Sequence, residues 1–349
     1  MENIWLIYII AITLPLVISL IIVPLIIRVA LMLKIVDDPK VASRKIHDSP
    51  VPLLGGWSFF IAIFISLLIF RFSGWGNFSL ISDNFILGVF LASLIIIIGG
   101  SLDDKYNLKP IQQIIFPLLA ILIVLLFGLR INYVTNPLVS GSIIHLGFWT
   151  SIIISGLWLL GMIYTTKFLD GLNGLVSGIA AIASCFIFLI SLNWDVPFSA
   201  TGLWALMLLG ASLGFLFFNY HSAKIFLGEG GSILIGFLLG VLSIISGSKI
   251  ITTLLVMGLP ILDVALVIIS RLNSGQSPFI GDRRHLHYRL LDFGFSREQA
   301  VWLIWLLAVI FGACGVLSSS YGKLILVIAL FFLMFLISYL LTKNNQKNE

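Results

Sequence analysis

At 349 residues, with 60% hydrophobic and only 10% charged side chains and a mean hydropathy of +1.14, the chain excludes a water-soluble globular domain. Its net charge of +5 fits the loops of a membrane protein better than a nucleic-acid-binding surface. The two cysteines, Cys185 and Cys314, both sit inside apolar runs, which excludes a disulfide framework and a thiolate metal site.

The apolar runs are continuous rather than alternating, so a transmembrane barrel is excluded as well. An all-α polytopic membrane protein is expected. Eleven runs can cross roughly 30 Å of hydrocarbon as helices: residues 4–30, 53–72, 84–101, 111–128, 149–166, 174–192, 201–218, 231–247, 250–271, 299–317 and 323–342. The first lacks a preceding basic residue and a small-residue cleavage site, so it reads as a retained helix and not a signal peptide. Sixteen of the 20 lysines and arginines fall on one set of loops and span ends, and four (Arg71, Arg130, Lys249 and Lys323) on the other. That asymmetry places the N-terminus outside and the C-terminus in the cytoplasm. Residues 1–342 then form one transmembrane domain with cytoplasmic loops at 34–56, 101–110, 167–174, 219–232 and 272–298, followed by a polar tail, 343–349, expected to be disordered. On the outer side, residues 129–148 are expected to form a hairpin with His145 on its surface. Gly210 with Gly214, and Gly236 with Gly240, mark close helix packing.

Ten of the fifteen acids and four of the five histidines gather in the inner loops. The first inner loop carries Asp37-Asp38-Pro39, then Arg44-Lys45-Ile46-His47, then Pro50-Val51-Pro52 and Gly55-Gly56. Its cations can hold phosphate, and a basic loop on anionic lipid headgroups is the alternative. The glycine pair admits a ligand or a neighbouring helix. In the second, Gly99-Gly100-Ser101-Leu102-Asp103-Asp104 ends an apolar run with two adjacent carboxylates, whose repulsion calls for a cation, nearby lysines or a shared proton. Alone, the stretch reads equally as a solvated turn. The third, Lys167-Phe168-Leu169-Asp170-Gly171-Leu172-Asn173-Gly174, places Asp170 and Asn173 on one face if a helix starts there. The fourth runs from Asn219 through Lys224 to Gly228-Glu229-Gly230-Gly231-Ser232, an acid at a helix start suited to a metal or a phosphate. The ninth span holds Asp263, about 12 Å from Arg271 along a helix axis, as either a functional charge or a structural partner. The fifth loop carries Asp282-Arg283-Arg284-His285-Leu286-His287. Hard Mg²⁺ with oxygen ligands suits this acid set better than zinc, leaving the histidines and arginines for phosphate.

These stretches resemble, in order and on one side, the motifs of the polyprenyl-phosphate N-acetylhexosamine-1-phosphate transferases, glycosyltransferase family 4. Arg44-Lys45-Ile46-His47 with Gly55-Gly56, Asp103-Asp104, Phe168 to Gly174, Ala223 to Ser232, and Ser277 to His287 carry the likeness. The histidine loop is similar to that of the branch using UDP-N-acetylglucosamine. The chain departs from the pattern at Lys167 (usually Asn), Asn173 (usually Asp), Ser222 (usually Pro), Glu229 (usually Asp) and Tyr288 (usually His).

The resemblance implies transfer of N-acetylglucosamine-1-phosphate, or a related HexNAc-1-phosphate, from a UDP-sugar to undecaprenyl phosphate, beginning a lipid-linked cell-envelope glycan. It implies Asp103 and Asp104 as catalytic residues, and Lys45, His47, Lys167, Asp170, Asn173, Asn219, Lys224, Arg283, His285 and His287 at the substrates. It further implies Asp104, Asp170 and Glu229 around Mg²⁺, with Mn²⁺ as a substitute. The expected setting is the bacterial inner membrane with a cytoplasmic site, a homodimer being compatible, and no nucleic-acid partner. A phospho-N-acetylmuramoyl-pentapeptide transferase is the alternative within the class. A transporter of an anionic substrate is the alternative outside it, but no inverted repeat is visible and only Asp263 lies well inside a span.

Overall fold

The structure, a computed structural model, describes residues 2–39, 49–77, 81–136, 139, 142–194, 198–246, 250–277 and 283–348. Lys45 and His47 lie outside the described residues. The element order is α1 (Glu2–Met32), β1 (Val36–Asp37), β2 (Val51–Pro52), α2 (Gly56–Ser73), α3 (Asp83–Tyr106), α4 (Pro110–Gln113), α5 (Ile115–Leu126), β3 (Tyr133–Thr135) and β4 (Ile143–His145). Then follow α6 (Phe148–Leu169), α7 (Leu175–Trp194), α8 (Ala200–Asn219), α9 (Gly228–Ile245), α10 (Ile250–Val256), α11 (Gly258–Asn273), α12 (Leu286–Asp292), α13 (Arg297–Leu317) and α14 (Ser320–Asn348).

The expected all-α membrane architecture is present. Among the described residues, nine helices are long and apolar enough to cross a membrane. Two of the eleven expected spans are interrupted, each at a proline. Pro260 has no N–H to offer the carbonyl of Val256, the last residue of α10, and α10 and α11 meet at a bend of 74°. Pro117 likewise cannot donate to Gln113, where α4 gives way to α5, and together Pro110–Leu126 form a shorter apolar helix. The tail expected to be disordered continues α14 as far as Asn348. The hairpin expected within residues 129–148 forms, pairing Tyr133 with His145 in an antiparallel ribbon, with His145 exposed.

At the centre is α9, buried along nearly all of its length. The small residues set how closely its neighbours approach. Gly236 lies against Met162, Ile163 and Thr166 of α6, where a Cβ would fall 2.2 Å from Thr166 Oγ1. Gly210 and Gly214 of α8 admit the backbone of α1 at Ile12 and Leu16. Both glycine pairs thus serve helix packing, as expected. Large side chains on α1, α13 and α14, such as Ile21, Leu306 and Phe335, remain exposed, which is the surface that helices present to lipid tails.

Candidate active site

The end of the bundle where α9 begins is assembled by contacts that need glycine. A Cβ on Gly56 would fall 2.4 Å from Gly231 Cα, and one on Gly100 would fall 2.1 Å from Gly230 Cα and N. Main-chain bonds from Gly55 N–H to Phe226 O (3.0 Å) and from Gly56 N–H to Leu227 O (2.9 Å) join the first and fourth loops. The Gly55-Gly56 pair therefore meets a neighbouring segment. These crossings bring the ends of α2 and α3 against the start of α9.

Asp103 and Asp104 occupy the last turn of α3 and not the inter-helix turn that the sequence suggests. The helix continues to Tyr106 and ends at Asn107, whose φ of 49° is left-handed and whose N–H donates to Asp103 O at 2.8 Å. One turn of helix aims the two carboxylates in different directions. Asp103 Oδ1 accepts from Leu108 N–H (2.7 Å) and from Gln113 Nε2 (3.1 Å). It borders a gap of about 10 Å³, the size of one water, lined also by Ile96, Phe116, Pro117, Gln113 and Glu229. Asp104 turns the other way, and its Oδ1 accepts from Glu229 N–H at 2.9 Å. Gly228, with φ +71°, makes room for this contact, since a Cβ there would lie 2.4 Å from Asp104 Oδ2.

Lys167 leaves the last turn of α6 and pairs with Glu229 in the first turn of α9. It also donates to Gln113 Oε1 at 2.9 Å. Asp170 follows the end of α6. Solvent reaches part of the residue, while the protein around it desolvates the carboxyl. Desolvation by that surrounding protein, and then the Glu229 carboxylate, raise its carboxyl to about 7. Asp104 is near enough to interact electrostatically with Asp103, Asp170 and Glu229.

Residues 170–174 turn rather than start a helix, so Asp170 and Asn173 do not share a helical face. Asn173 Nδ2 instead donates to His221 O at 3.2 Å. Buried Asn219 accepts from Gly174 N–H (2.8 Å) and donates to Ile225 O (2.8 Å). These two amides clamp the third loop to the fourth. Lys224 is exposed. Arg283 is exposed too, bonded to Asp292 Oδ1 at 2.5 Å and lying 5.3 Å over the Tyr288 ring.

His285 and His287 are buried and near-parallel, with ring centroids 5.9 Å apart. His285 stacks on Phe168 at 5.6 Å, and His287 lies against Gly171, where a Cβ would fall 2.2 Å from its Nε2. The third loop therefore connects the histidines to the carboxylates. Neither ring nitrogen of His287 has a hydrogen-bond partner among the described residues. Burial, followed by the neighbouring His285 and Arg283, lowers His287 to about 3, so the ring is neutral near pH 7. His285 Nδ1 is 2.9 Å from Asp263 Oδ2, and Asp263 Oδ1 accepts from Leu286 N–H at 2.8 Å. The intramembrane acid flagged in the sequence is thus the orienting partner of a site histidine.

Two residues to which the sequence assigns no role complete the site. Gln113 links Lys167 to Asp103, and Phe168 is the platform for His285. Phe168 lies within a candidate motif; for Gln113, nothing in a single sequence marks its partners. The site's capacity for a metal follows from its donors. Asp104, Asp170 and Glu229 offer only oxygen, and three carboxylates outweigh one ammonium, which fits a hard divalent cation. Glu229 is engaged by Lys167, and among the described residues no three His, Cys, Asp or Glu side chains converge as a ligand set. A metal would require these side chains to re-aim.

Comparison with known proteins gives a consistent result. Residues 86–247, from α3 through α9, match the family described as Glycosyl transferase family 4. That segment includes Asp103, Asp104, Lys167, Asp170 and Glu229 but not the histidine loop. A Bacillus subtilis (strain 168) protein named "Probable undecaprenyl-phosphate N-acetylglucosaminyl 1-phosphate transferase" is 30% identical over 307 residues, 86% of this chain and 82% of that protein. A Mycolicibacterium smegmatis protein named decaprenyl-phosphate N-acetylglucosaminephosphotransferase is 30% identical over 80% of this chain and 75% of its own. The Salmonella typhi undecaprenyl-phosphate alpha-N-acetylglucosaminyl 1-phosphate transferase is 27% identical over 88% of this chain and 83% of its own.

Proposed function

The chain belongs to glycosyl transferase family 4, and on that footing we propose that it transfers N-acetylglucosamine-1-phosphate from UDP-N-acetylglucosamine to a polyprenyl phosphate, releasing UMP. One observation carries the reading. Asp103, Asp104, Asp170 and Glu229, from three separate stretches, meet at one end of the bundle with Lys167 among them. Phe168 and Gly171 place His285 and His287 at its border.

In the reaction, an oxygen of the lipid phosphate bonds to the phosphorus that carries the sugar. The bridging P–O bond of the donor diphosphate breaks, and UMP leaves with the electron pair. Asp103 is assigned to the lipid acceptor. Held by Leu108 N–H and Gln113, its carboxylate takes the proton of a singly protonated lipid phosphate. Asp104, Asp170 and Glu229 would hold Mg²⁺ or Mn²⁺, which supplies neutralisation of the diphosphate charge when bound. Lys167, Arg283 and the two histidines line the donor side as phosphate partners. Lys45 and His47 keep this role from sequence. The sixteen-to-four asymmetry of basic residues supports a cytoplasmic site at a bacterial inner membrane.

The test is UMP release by purified protein given UDP-N-acetylglucosamine, undecaprenyl phosphate and Mg²⁺, with chelator as control. Turnover that chelator abolishes is expected. Absence of turnover with every UDP-HexNAc tried would sink the assignment.

A further inference from the structure

The two departures from the family pattern that bear charge, Lys167 and Glu229, meet each other in space. They stand 62 positions apart in the chain (229 − 167), on helices whose closeness is set by Gly236 against Met162, Ile163 and Thr166. Both side chains are largely withdrawn from solvent, at 16% and 17% exposure. An ammonium in such a place needs its hydrogens engaged. Lys167 reaches Glu229, donates to Gln113 Oε1 at 2.9 Å, and lies 5.6 Å from the centre of the Tyr164 ring. Gln113 passes the constraint on through Nε2, which donates to Asp103 Oδ1 (3.1 Å) and to Leu108 O (3.0 Å).

We propose that Lys167 is a tethered counter-ion of the carboxylate cluster, competing with a divalent cation for Glu229 and holding Glu229 and Gln113 in register until a cation binds. Each half of the pair accounts for the other. A glutamate carries its carboxylate one methylene further than an aspartate, far enough to reach the ammonium. A lysine in place of a neutral amide supplies the charge that the longer acid would otherwise lack beside Asp103, Asp104 and Asp170. Once a cation takes Glu229, the freed ammonium is positioned for an anionic phosphate of the donor. The inference rests on the transferase reading only in taking these acids as the cation site.

The experiment uses full-length, metal-stripped protein in detergent, with Mn²⁺ binding followed by the loss of its free-ion resonance and thermal unfolding measured with and without Mn²⁺. Lys167→Met is expected to bind Mn²⁺ at least tenfold more tightly than the wild type. Its Tm should fall without metal and recover with Mn²⁺, while Lys167→Arg stays close to wild type in both measurements. If the methionine variant does not fold, Lys167→Gln carries the same expectation. Unchanged or weaker Mn²⁺ binding in the neutral variants, or no Mn²⁺ binding in any variant, overturns the proposal. Wild-type turnover alongside unchanged Mn²⁺ affinity would discard this inference and leave the transferase reading standing. Tighter Mn²⁺ binding without turnover on any UDP-HexNAc would do the reverse.

Discussion

Asp263→Asn isolates what one buried carboxylate does for His285. Asp263 receives Leu286 N–H on Oδ1 at 2.8 Å and faces His285 Nδ1 with Oδ2 at 2.9 Å. An ionised carboxylate only accepts, so His285 carries a proton on Nδ1, and a neutral ring is left with Nε2 as an acceptor. Asparagine is almost the same size, and its oxygen can keep the Leu286 bond. Its amide then presents N–H to Nδ1, which must become the acceptor, and the proton of the neutral ring moves to Nε2. A hydrogen bond to a charged group contributes roughly 1.5–3 kcal/mol, so kcat/KM for UMP release should fall roughly 10–150-fold at about 1.4 kcal/mol per decade. Tm should move little, because the Leu286 bond survives. Asp263→Ala should lower both activity and Tm. An Asp263→Asn enzyme within threefold of wild type would mean that the carboxylate only anchors the chain at Leu286 and that the tautomer of His285 does not matter to the reaction.

Two further outcomes are expected. Gly100→Ala would drive a Cβ to 2.1 Å from the backbone of Gly230, which cannot yield without parting α3 from α9; overpacking of this kind costs about 1–3 kcal/mol and should lower both Tm and turnover. Gly147→Ala meets nothing within 4 Å and should leave the thermal unfolding curve in place, so equal shifts in the two variants would refute the packing argument. His287 is held at about 3 in the folded protein against a usual value near 6.5. A folded-state value below the unfolded one means that the unfolded chain binds the proton first as pH falls. The stabilisation is therefore complete above about 6.5 and is lost toward about 3, by up to roughly 1.4 kcal/mol per pH unit. His287→Gln should flatten the pH dependence of Tm across that window, and an unchanged slope would show that His287 is not its source.

Much of the fold was legible because membrane spans declare themselves locally. A run such as Phe85 to Ile98 needs no partner to be read as a helix, and the glycine pairs at 210/214 and 236/240 did mark close crossings. The errors came where a local signal had two outcomes. The charges of Asp103 and Asp104 resembled a turn, but Asn107 can adopt the left-handed cap that lets the helix carry both acids to its last turn. The spans holding Pro117 and Pro260 were long enough by composition, and composition does not register the missing N–H that interrupts them.

For the site, residue type was readable and orientation was not. The acids and histidines were found because charge is costly at a membrane and so stands out. Asn173 and Asn219 carry the same chemical signal, yet their amides are occupied with His221, Gly174 and Ile225, because the loops around Asp170 and Glu229 must be tied together before those carboxylates can face one another. Gln113 shows the converse: it carries no charge and sits in no motif, but among the described residues it is the only side chain bonded to both Lys167 and Asp103. Which polar residue serves the substrate and which serves the scaffold is decided by where α3, α6 and α9 cross. Those crossings depend on pairs such as Gly100 with Gly230, whose two members lie 130 positions apart (230 − 100). A substitution at such a contact should therefore act on the chemistry as strongly as one at an acid, and through the same distances.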